Sequence, residues 1–308
     1  MYDAIVIGAG PAGLQAALTL GRMHRSTLLL DSGEYRNGTV LHMHNVIAND
    51  GTAPAEFRAT ARAQLAAYAD VEVRGIGVGV GVGVESIGGT EDDGFEVTLA
   101  GGSTVGARRV ILATGVADDL PDVPGLDALW GRTAFSCPFC DGHEHAGKAI
   151  AILGPAPRAE HLIGLLGRFV GEITVFPVGE AHSDDEQRAL GALGARVSVA
   201  PVDAVASVDD GVRITAGAED VTVAGVFVAA GSVRQRAPFV EQLGLRMLPS
   251  GAIEIDDFGR TSMPGISAAG DLAHRAALPG LMASVVMASA AGQLAAIGVI
   301  QSLVAADH

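Results

Sequence analysis

Cysteine occurs at only two positions in the chain, and both lie in one short motif, Cys137-Pro138-Phe139-Cys140, which Asp141 follows directly. Two thiols separated by two residues are typical of a dithiol–disulfide redox pair. A carboxylate beside them can act as an acid or base toward a thiol. The motif therefore predicts thiol–disulfide chemistry, in which electrons enter or leave through Cys137 and Cys140.

The motif has three other interpretations. His143 and His145 are close enough in sequence to complete a zinc site with the two cysteines. The pair could also be a permanent disulfide, although closing so short a loop restricts the unfolded chain little. Two inert thiols are the third possibility. The redox interpretation gains weight if the chain also binds an electron-carrying cofactor.

The N-terminus has the pattern of a dinucleotide-binding unit. An apolar run from Tyr2 to Ile7 precedes the glycine motif of residues 8–13, GAGPAG; a helical stretch and a second apolar run then lead to Asp31. Strand, glycine turn, helix, strand and acid follow in the order that a βαβ dinucleotide-binding unit requires. The glycines permit the turn, the approach of a pyrophosphate and close helix packing, and the helix N-terminus favours the anion. Asp31 is placed to accept a hydrogen bond from a ribose hydroxyl.

Two later segments extend this pattern. Residues 109–115, RVILATG, read as a strand that ends in Ala-Thr-Gly, and residues 261–271 have the sequence TSMPGISAAGD. Together with the N-terminal motif and the cysteine pair, they make nearly the whole chain resemble the low-molecular-weight thioredoxin reductase-like flavoproteins. This resemblance implies an α/β fold of two Rossmann-like, three-layer ββα dinucleotide-binding domains.

The resemblance also implies a domain plan and a set of cofactor contacts. Residues 1–117 and 240–308 would form a discontinuous FAD-binding domain, and residues 118–239 an inserted NAD(P)-binding-like domain that carries the redox motif. Asn45 would lie near the isoalloxazine ring, Gly270 and Asp271 near the ribityl and phosphate groups, and Met282 would offer a backbone contact to the ring. The expected FAD-binding residues are Gly8, Gly10, Pro11, Ala12, Gly13, Asp31, Ser32, Asn45, Ala113, Thr114, Gly115, Gly270, Asp271 and Met282.

His42 and His44 alternate, so in an extended segment they point the same way, and a metal pair is conceivable. We prefer a loop that lines the flavin pocket. We expect no metal site in the chain, and we interpret His143, Glu144 and His145 as polar residues near the dithiol.

The inserted segment carries an altered nucleotide loop. Residues 148–153 and 171–176 read as strands and residues 160–169 as a helix, and the loop of residues 154–159 has the sequence GPAPRA. Ala156 stands where a pyrophosphate loop carries its second glycine, so we expect its β-carbon to obstruct a pyrophosphate. Pro155 and Pro157 also remove two N–H donors. Arg158 is interpreted as a surface charge rather than as an anion contact.

The segment after the second of these strands also departs from the family. Thioredoxin reductases carry a histidine followed by arginines there, for the 2′-phosphate of NADPH, whereas this chain has PVGEAH at residues 177–182. Glu180 would repel a 2′-phosphate, although it could accept from the ribose of NADH. We therefore expect no NADPH binding in the usual mode, and NADH binding stays open.

The sequence Cys-Pro-Phe-Cys together with this altered loop resembles another branch of the superfamily. This branch is the FAD-dependent dithiol oxidases, which close disulfides in small sulfur-containing natural products such as gliotoxin and holomycin. The resemblance extends to residues 42–45, 50–52 and 120–125 and to Glu144. One residue departs, because those oxidases commonly carry histidine after the second cysteine, whereas Asp141 is typical of bacterial thioredoxin reductases.

The resemblance implies that Cys140 faces the flavin C4a, that Cys137 exchanges with substrate, and that Asp141 acts as general acid or base. We expect a helix or turn beginning in the Gly142 region to lower a thiol pKa through its N–H groups. In the oxidase direction a small dithiol is the substrate and O₂ is reduced to H₂O₂. The alternatives are an NAD(P)H-dependent reductase of a thioredoxin-like protein and, in a different class, a flavin-binding redox sensor. The resemblance suggests a homodimer.

Composition sets wider limits. The chain of 308 residues, 49% hydrophobic and 18% charged, can bury the cores of two domains, which excludes a disordered or fibrous protein. A net charge of −15 argues against nucleic acid and anionic membrane partners.

The segment from Val285 to Val304 is interrupted by serine, glycine and glutamine, which favours a buried helix over a membrane span. The N-terminus lacks a signal-peptide pattern, and we expect a cytoplasmic protein. The glycine–valine alternation of residues 75–84 predicts a low-complexity hairpin.

Overall fold

A computed structural model describes residues 1–76 and 83–308. The predicted glycine–valine hairpin falls mainly on residues 77–82, outside the described residues. The chain divides into two compact units. The first unit comprises Met1–Gly38, Ala55–Ala117 and Val233–His308, and the second comprises Thr39–Pro54 and Asp118–Ser232.

These units differ from the domain boundaries expected above at two places. Residues 39–54 belong to the second unit, in which His44 Nδ1 lies 3.7 Å from Glu144 Oε1. Residues 233–239 belong to the first unit, because Ala237 and Phe239 are buried in its hydrophobic core. Both differences arise from contacts between segments that are distant in sequence.

The strands and helices have the following bounds. The strands are β1 (Tyr2–Ile7), β2 (Thr27–Asp31), β3 (Val71–Gly75), β4 (Val84–Thr90), β5 (Gly94–Leu99), β6 (Thr104–Leu112), β7 (Val116–Asp119), β8 (Ala134–Phe135), β9 (Ile150–Leu153), β10 (Ile173–Phe176), β11 (Arg196–Val197), β12 (Ala204–Val208), β13 (Gly211–Ala216), β14 (Glu219–Val223), β15 (Gly225–Val228), β16 (Ser232–Gln235), β17 (Ile253–Glu254), β18 (Ile266–Ala268) and β19 (Ala273–His274). The helices are α1 (Pro11–Arg22), α2 (Pro54–Leu65), α3 (Leu126–Leu129), α4 (Pro138–Asp141), α5 (Ala156–Leu166), α6 (Asp184–Ala192) and α7 (Val285–Ala306).

The main sheet of the first unit has the strand order β3-β2-β1-β6-β5-β4, and β18 also pairs with β6. The pairs β1–β2, β2–β3, β1–β6 and β6–β18 are parallel. Every residue of β2 is buried, as is typical of a parallel strand covered on both faces. Side chains on one face pack with the small residues of α1 and α7, and side chains on the other face share a hydrophobic cluster with residues of β4, β5 and the 237–253 segment.

This topology gathers the carboxyl ends of four parallel strands at one edge. Gly8 follows β1, Asp31 ends β2, Ala113 follows β6 and Ala269 follows β18. The Ala113 amide donates to the Ile7 carbonyl (2.8 Å), which ties the ends of β1 and β6 together. Ligands of open parallel sheets bind at this edge.

The second unit contains a parallel sheet of five strands in the order β11-β10-β9-β15-β8 and an antiparallel sheet of β12, β13 and β14. Helix α5, expected to begin at residue 160, begins at Ala156. Pro155 and Pro157 explain the earlier start, since proline is compatible with the first turn of a helix, where N–H groups lack intrahelical partners.

Helix α7 is long and apolar enough, by length and composition, to cross a membrane. Core helices of soluble proteins pass the same test. Gly292 permits α7 to lie directly on α1, because a β-carbon there would be 2.0 Å from the Ala12 carbonyl oxygen. The expectation of a buried helix holds for only part of its surface, since Val286, Met287 and Leu294 are exposed.

Candidate active site and cofactor cradle

The two cysteines form a disulfide at the start of a short helix. Their Cα atoms lie 5.3 Å apart, and Cys137 is the N-cap residue of α4. The prediction of a helix or turn that begins in the Gly142 region is confirmed, because a 3₁₀ turn of His143–His145 begins there with Gly142 as its N-cap. A further short helix, α4, precedes it, beginning at Pro138 and ending at Gly142. Proline at the first helical position fixes the start, since its ring presets the helical φ angle. Gly142 is required by packing, because a β-carbon there would be 2.4 Å from the Pro138 carbonyl oxygen.

The Asp141 carboxyl group is partly buried at the end of α4, the helix that begins at the disulfide. Burial, and secondly the charge of Glu144, raise the pKa of Asp141 to about 6, while His44 acts in the opposite direction. The carboxyl group is therefore protonated below about pH 6 and ionised above it. A pKa close to the working pH suits a general acid or base, because the group can then both accept and donate a proton.

His44 lies between two carboxylates of the second unit. Its Nδ1 is 3.7 Å from Asp50 Oδ1 and 3.7 Å from Glu144 Oε1. His42 points elsewhere, with its Nδ1 3.0 Å from the Gly51 carbonyl oxygen. Within residues 1–76 and 83–308, no group of three or more His, Cys, Asp or Glu side chains is arranged to hold a metal ion.

His145 contacts the backbone of α4, the helix that carries the cysteine pair. It is buried, and its Nδ1 lies 2.8 Å from the Asp141 carbonyl oxygen. Its ring packs edge-on against Phe135 and Phe227, at centroid distances of 5.5 and 5.6 Å. His145 is therefore a core histidine that fixes the backbone of Asp141. Sequence analysis missed this role, because nothing in the local pattern marks the aromatic pair.

The glycine motif of the first unit forms a cradle at the carboxyl edge of the sheet. A β-carbon on Gly8, which has φ +107°, would be 2.4 Å from the Ala113 carbonyl oxygen, and one on Gly13 would be 1.8 Å from the Gly8 carbonyl oxygen. At Gly10, the N-cap of α1, a β-carbon would meet no atom within 4 Å. Gly8 and Gly13 are thus needed for packing, whereas Gly10 leaves the start of the helix open.

The cradle fits a large polar cofactor such as FAD. The Thr114 hydroxyl is buried and has no hydrogen-bond partner in the described part of the chain. A buried hydroxyl without a partner is costly, so the site calls for a ligand atom that donates or accepts there. Because no described atom lies within 4 Å of a β-carbon built at Gly10, the FAD diphosphate could approach the N-terminus of α1.

Asp31 makes contacts that the sequence did not predict. It accepts hydrogen bonds from the Tyr35 hydroxyl (2.7 Å), from the Gly33 amide (2.9 Å) and from Arg62. Burial raises the pKa of Asp31, but these hydrogen bonds outweigh burial and hold the pKa below its usual value. Arg58 stacks on Tyr35, with its guanidinium carbon 3.9 Å from the ring centroid. The only sequence signal is the spacing of the two arginines, four residues apart on α2.

The other expected cofactor residues divide between the two units. Asp271 pairs with Arg36 at 2.9 Å, and Gly270 has φ +89° and packs against Ala12. Met282 is exposed in the segment before α7. Asn45 belongs to the second unit, together with Cys137, Cys140 and Asp141. The first unit contains Gly8, Gly10, Pro11, Ala12, Gly13, Asp31, Ser32, Ala113, Thr114, Gly115, Gly270, Asp271 and Met282.

Side chains of the second unit form hydrogen bonds to backbone carbonyl oxygens around the altered nucleotide loop. Arg158 Nη1 donates to the carbonyl oxygens of Ala229 (3.1 Å) and Gly231 (3.2 Å), which follow β15. His182 Nε2 donates to the carbonyl oxygen of Gly154 (3.0 Å), which follows β9. Both contacts lie at the carboxyl ends of parallel strands, where a dinucleotide would bind.

The structure bears differently on two expectations about this loop. Ala156 is buried in the hydrophobic core beneath α5, so its β-carbon is not the obstruction that we expected. Arg158 is exposed, as expected of a surface charge, but its guanidinium group also donates to backbone carbonyl oxygens of the loop after β15.

The sequence model described as pyridine nucleotide-disulphide oxidoreductase matches residues 2–292. The chain belongs to this family. A probable thioredoxin reductase of Arthroderma benhamiae is 40% identical over 185 residues, which are 60% of this chain and 46% of that protein. The thioredoxin reductase tcpT of Claviceps purpurea is 32% identical and matches across 98% of this chain and 96% of its own length.

Solved structures of the family agree with this fold. The crystal structure of HlmI is 33% identical, with a TM-score of 0.87, and the match covers 99% of this chain and 93% of that chain. These comparisons confirm the predicted thioredoxin reductase-like α/β fold of the chain and its oxidoreductase class. Membership in the pyridine nucleotide-disulphide oxidoreductases also implies FAD and, usually, NAD(P)H as cofactors.

Proposed function

We propose that the chain is an FAD-dependent dithiol oxidase that converts a small-molecule dithiol to its disulfide through Cys137 and Cys140, with O₂ as electron acceptor. The reaction is R(SH)₂ + O₂ → RS₂ + H₂O₂, so two electrons and two protons pass from the dithiol to oxygen. We expect the enzyme to be a cytoplasmic homodimer that binds neither nucleic acid nor membranes.

The observation that carries the proposal is the set of hydrogen bonds that Arg158 and His182 form around the altered nucleotide loop. Arg158 and His182 occupy hydrogen-bonding positions at the carboxyl ends of β9 and β15. Pro155 and Pro157 offer no N–H groups to a phosphate. NAD(P)H binding in the usual mode would require these contacts to break. An oxidase needs no nicotinamide, because its electrons come from the dithiol.

Cys137 is assigned to exchange with the substrate and Cys140 to pass the electrons onward. One substrate thiolate attacks Cys137 Sγ, which forms a mixed disulfide and breaks the Cys137–Cys140 bond. The second substrate thiolate then attacks the substrate sulfur of the mixed disulfide, which releases the product and leaves the cysteine pair reduced. Asp141 accepts the thiol protons and returns protons to the departing sulfurs.

FAD, when bound, supplies the two-electron link between the cysteine pair and O₂. The residues that fit it are those of the first unit's cradle, above all Gly10, Thr114 and Asp31. Among the other cofactor residues that we assign to it, Asn45 belongs to the second unit.

A disulfide reductase is the second candidate. Asp141 is the residue that bacterial thioredoxin reductases carry after the second cysteine, and the relatives in Arthroderma benhamiae and Claviceps purpurea are named thioredoxin reductases. In this direction NAD(P)H would supply the electrons and a thioredoxin-like protein would accept them.

The two candidates predict opposite results for the visible absorbance of the flavin under anaerobic conditions. One sample receives dithiothreitol, and a second receives NADPH or NADH. We expect rapid bleaching by dithiothreitol, recovery with peroxide formation when air is admitted, and no rapid bleaching by either nucleotide. Rapid bleaching by NADPH or NADH would contradict the proposal and favour the reductase.

A further inference from the structure

Side chains from two segments of the first unit converge on the Asp31 carboxylate at the end of β2. The Tyr35 hydroxyl lies 2.8 Å from Asp31 Oδ1 and 2.7 Å from Oδ2, and the Gly33 amide donates to Oδ1 at 2.9 Å. Arg62, from α2, donates through Nη2 to Asp31 Oδ2 and to the Tyr35 hydroxyl. Asp31 is thus paired with a cation, a hydroxyl group and a backbone amide.

Arg58 holds the ring of Tyr35. Arg58 is buried, its guanidinium carbon lies 3.9 Å from the ring centroid, and its Nη1 donates to Asn37 Oδ1 at 3.0 Å. Residues four positions apart on a helix lie on one face, so Arg58 and Arg62 act from the same side of α2. Tyr35 is therefore fixed by Arg58 at its ring and by Asp31 and Arg62 at its hydroxyl.

Burial explains why Asp31 needs these partners. The residue is only 8% exposed, and an ionised carboxylate in such a place is costly unless a positive charge and hydrogen bonds compensate it. Burial raises the pKa of Asp31, but the hydrogen bonds from Tyr35, Gly33 and Arg62 outweigh burial and hold the pKa below its usual value. Asp31 is therefore ionised at neutral pH.

These contacts leave Asp31 able to accept one more hydrogen bond. The two oxygens of a carboxylate together offer about four lone-pair positions. The Gly33 amide, the Arg62 guanidinium group and the single proton of the Tyr35 hydroxyl occupy three of them. An ionised carboxylate accepts more strongly than a neutral carboxyl group, because the hydrogen bond is charge-assisted. A ribose hydroxyl is a donor that fits the remaining position.

We propose that Tyr35 and Arg62 are positioning residues for the adenosine ribose of FAD: they hold the Asp31 carboxylate in the orientation in which its remaining acceptor position takes a ribose hydroxyl. The inference rests on the part of the proposed function that assigns FAD to the cradle of the first unit. It does not depend on the dithiol substrate or on O₂ as the acceptor.

Other charged side chains near the end of β2 have partners of their own. Glu34 pairs with Arg236 at 2.6 Å, and Arg36 pairs with Asp271 at 2.9 Å. Arg62 is the cation that forms a salt bridge with Asp31. Substitution of Arg62 therefore removes the counter-charge of Asp31 and leaves these two pairs intact.

The test is the affinity of the full-length protein for FAD, measured from about pH 5 to about pH 8. Purified holoenzyme is diluted in steps, free FAD is separated by ultrafiltration, and its fluorescence gives the dissociation constant. This readout requires no dithiol, oxygen or nicotinamide, so it is independent of turnover.

We expect Arg62→Met to raise the FAD dissociation constant about tenfold at neutral pH, because Asp31 loses its charged partner. As the pH falls, the constant should rise further in Arg62→Met, since burial then favours the protonated carboxyl group. It should stay level in the wild type, and Arg62→Lys should restore part of the affinity. Arg74→Met is the matched control, because it removes the same charge from a pair with Glu72 on β3 of the same unit.

A double-mutant cycle shows whether Arg62 acts through Asp31. Asp31→Asn should weaken FAD binding by itself, and Arg62→Met should then add little, because the group that it positions is gone. Tyr35→Phe, which removes only a hydroxyl group, should raise the dissociation constant by a smaller factor than Arg62→Met.

Three results would overturn the inference while the proposed function stands. They are Arg62→Met and Asp31→Asn effects that add, an Arg62→Met constant equal to that of Arg74→Met, and a Tyr35→Phe constant equal to that of the wild type. A wild-type protein that binds no FAD would overturn both the inference and the proposed function.

Discussion

At the scale of residues, Asp141 combines a chemical role with a cost in stability. Its pKa is raised to about 6, mainly by burial, so at neutral pH the folded protein carries a charge that it solvates poorly. We expect Asp141→Asn to slow thiol exchange about 100-fold, because the acid–base group is lost. The same variant should unfold less readily at neutral pH, since an amide avoids the burial of a charge.

The size of this stabilisation follows from linkage. A pKa that is higher in the folded state means that the folded protein binds more protons than the unfolded chain between pH 3.8 and about 6, so stability falls as the pH rises through that window. The full shift corresponds to at most about 3 kcal/mol, and partial exposure reduces the expected gain to about 1 kcal/mol.

Denaturant unfolding of wild type and Asp141→Asn, at neutral pH and near pH 4, measures this difference. The gain should be present at neutral pH and nearly absent at the lower pH. A gain of equal size at both values would show that the charge of Asp141 is not its cause.

At the scale of elements, the glycines of the motif at residues 8–13 have different roles, because Gly13 is needed for packing and Gly10 for ligand binding. Gly13→Ala would place a β-carbon 1.8 Å from the Gly8 carbonyl oxygen, whereas Gly10→Ala would meet no protein atom within 4 Å. We therefore expect Gly10→Ala to fold normally but to lose FAD, and Gly13→Ala to be destabilised even without the cofactor. Flavin absorbance per protein and the melting temperature of the apoprotein distinguish the two effects.

Gly10 has ordinary extended backbone angles, so alanine adds no strain there. A Gly10→Ala protein that retained full flavin content would contradict the assignment of the cradle to FAD.

Local patterns predicted the elements near the site better than the contacts within it. The order of β1, the glycine turn, α1 and β2 follows from periodicity and glycine placement, and the observed bounds agree to within a residue or two. The hydrogen-bond partners of Asp31 could not be predicted from the sequence, because Tyr35 and Arg62 are brought to it by tertiary packing. The same holds for Arg158, whose guanidinium group binds carbonyl oxygens about 70 positions further along the chain.

At the scale of the whole molecule, the chain combines two sheets of the dinucleotide-binding type with different features at their carboxyl edges. In the first unit this edge offers Gly10, at which a β-carbon would be unobstructed, and the buried Thr114 hydroxyl, which has no partner among residues 1–76 and 83–308. In the second unit Arg158 and His182 form hydrogen bonds to backbone carbonyl oxygens at this edge. We therefore expect one dinucleotide, FAD, to bind per chain and the dithiol to be the electron donor.

The most direct test of this account is the stoichiometry of oxygen uptake by catalytic amounts of the holoenzyme with dithiothreitol and no NAD(P)H. We predict one O₂ consumed and one H₂O₂ formed for each dithiol oxidised, and no uptake by Cys137→Ser, which should keep its FAD. Oxygen uptake that requires NAD(P)H, or that persists in Cys137→Ser, would contradict the account.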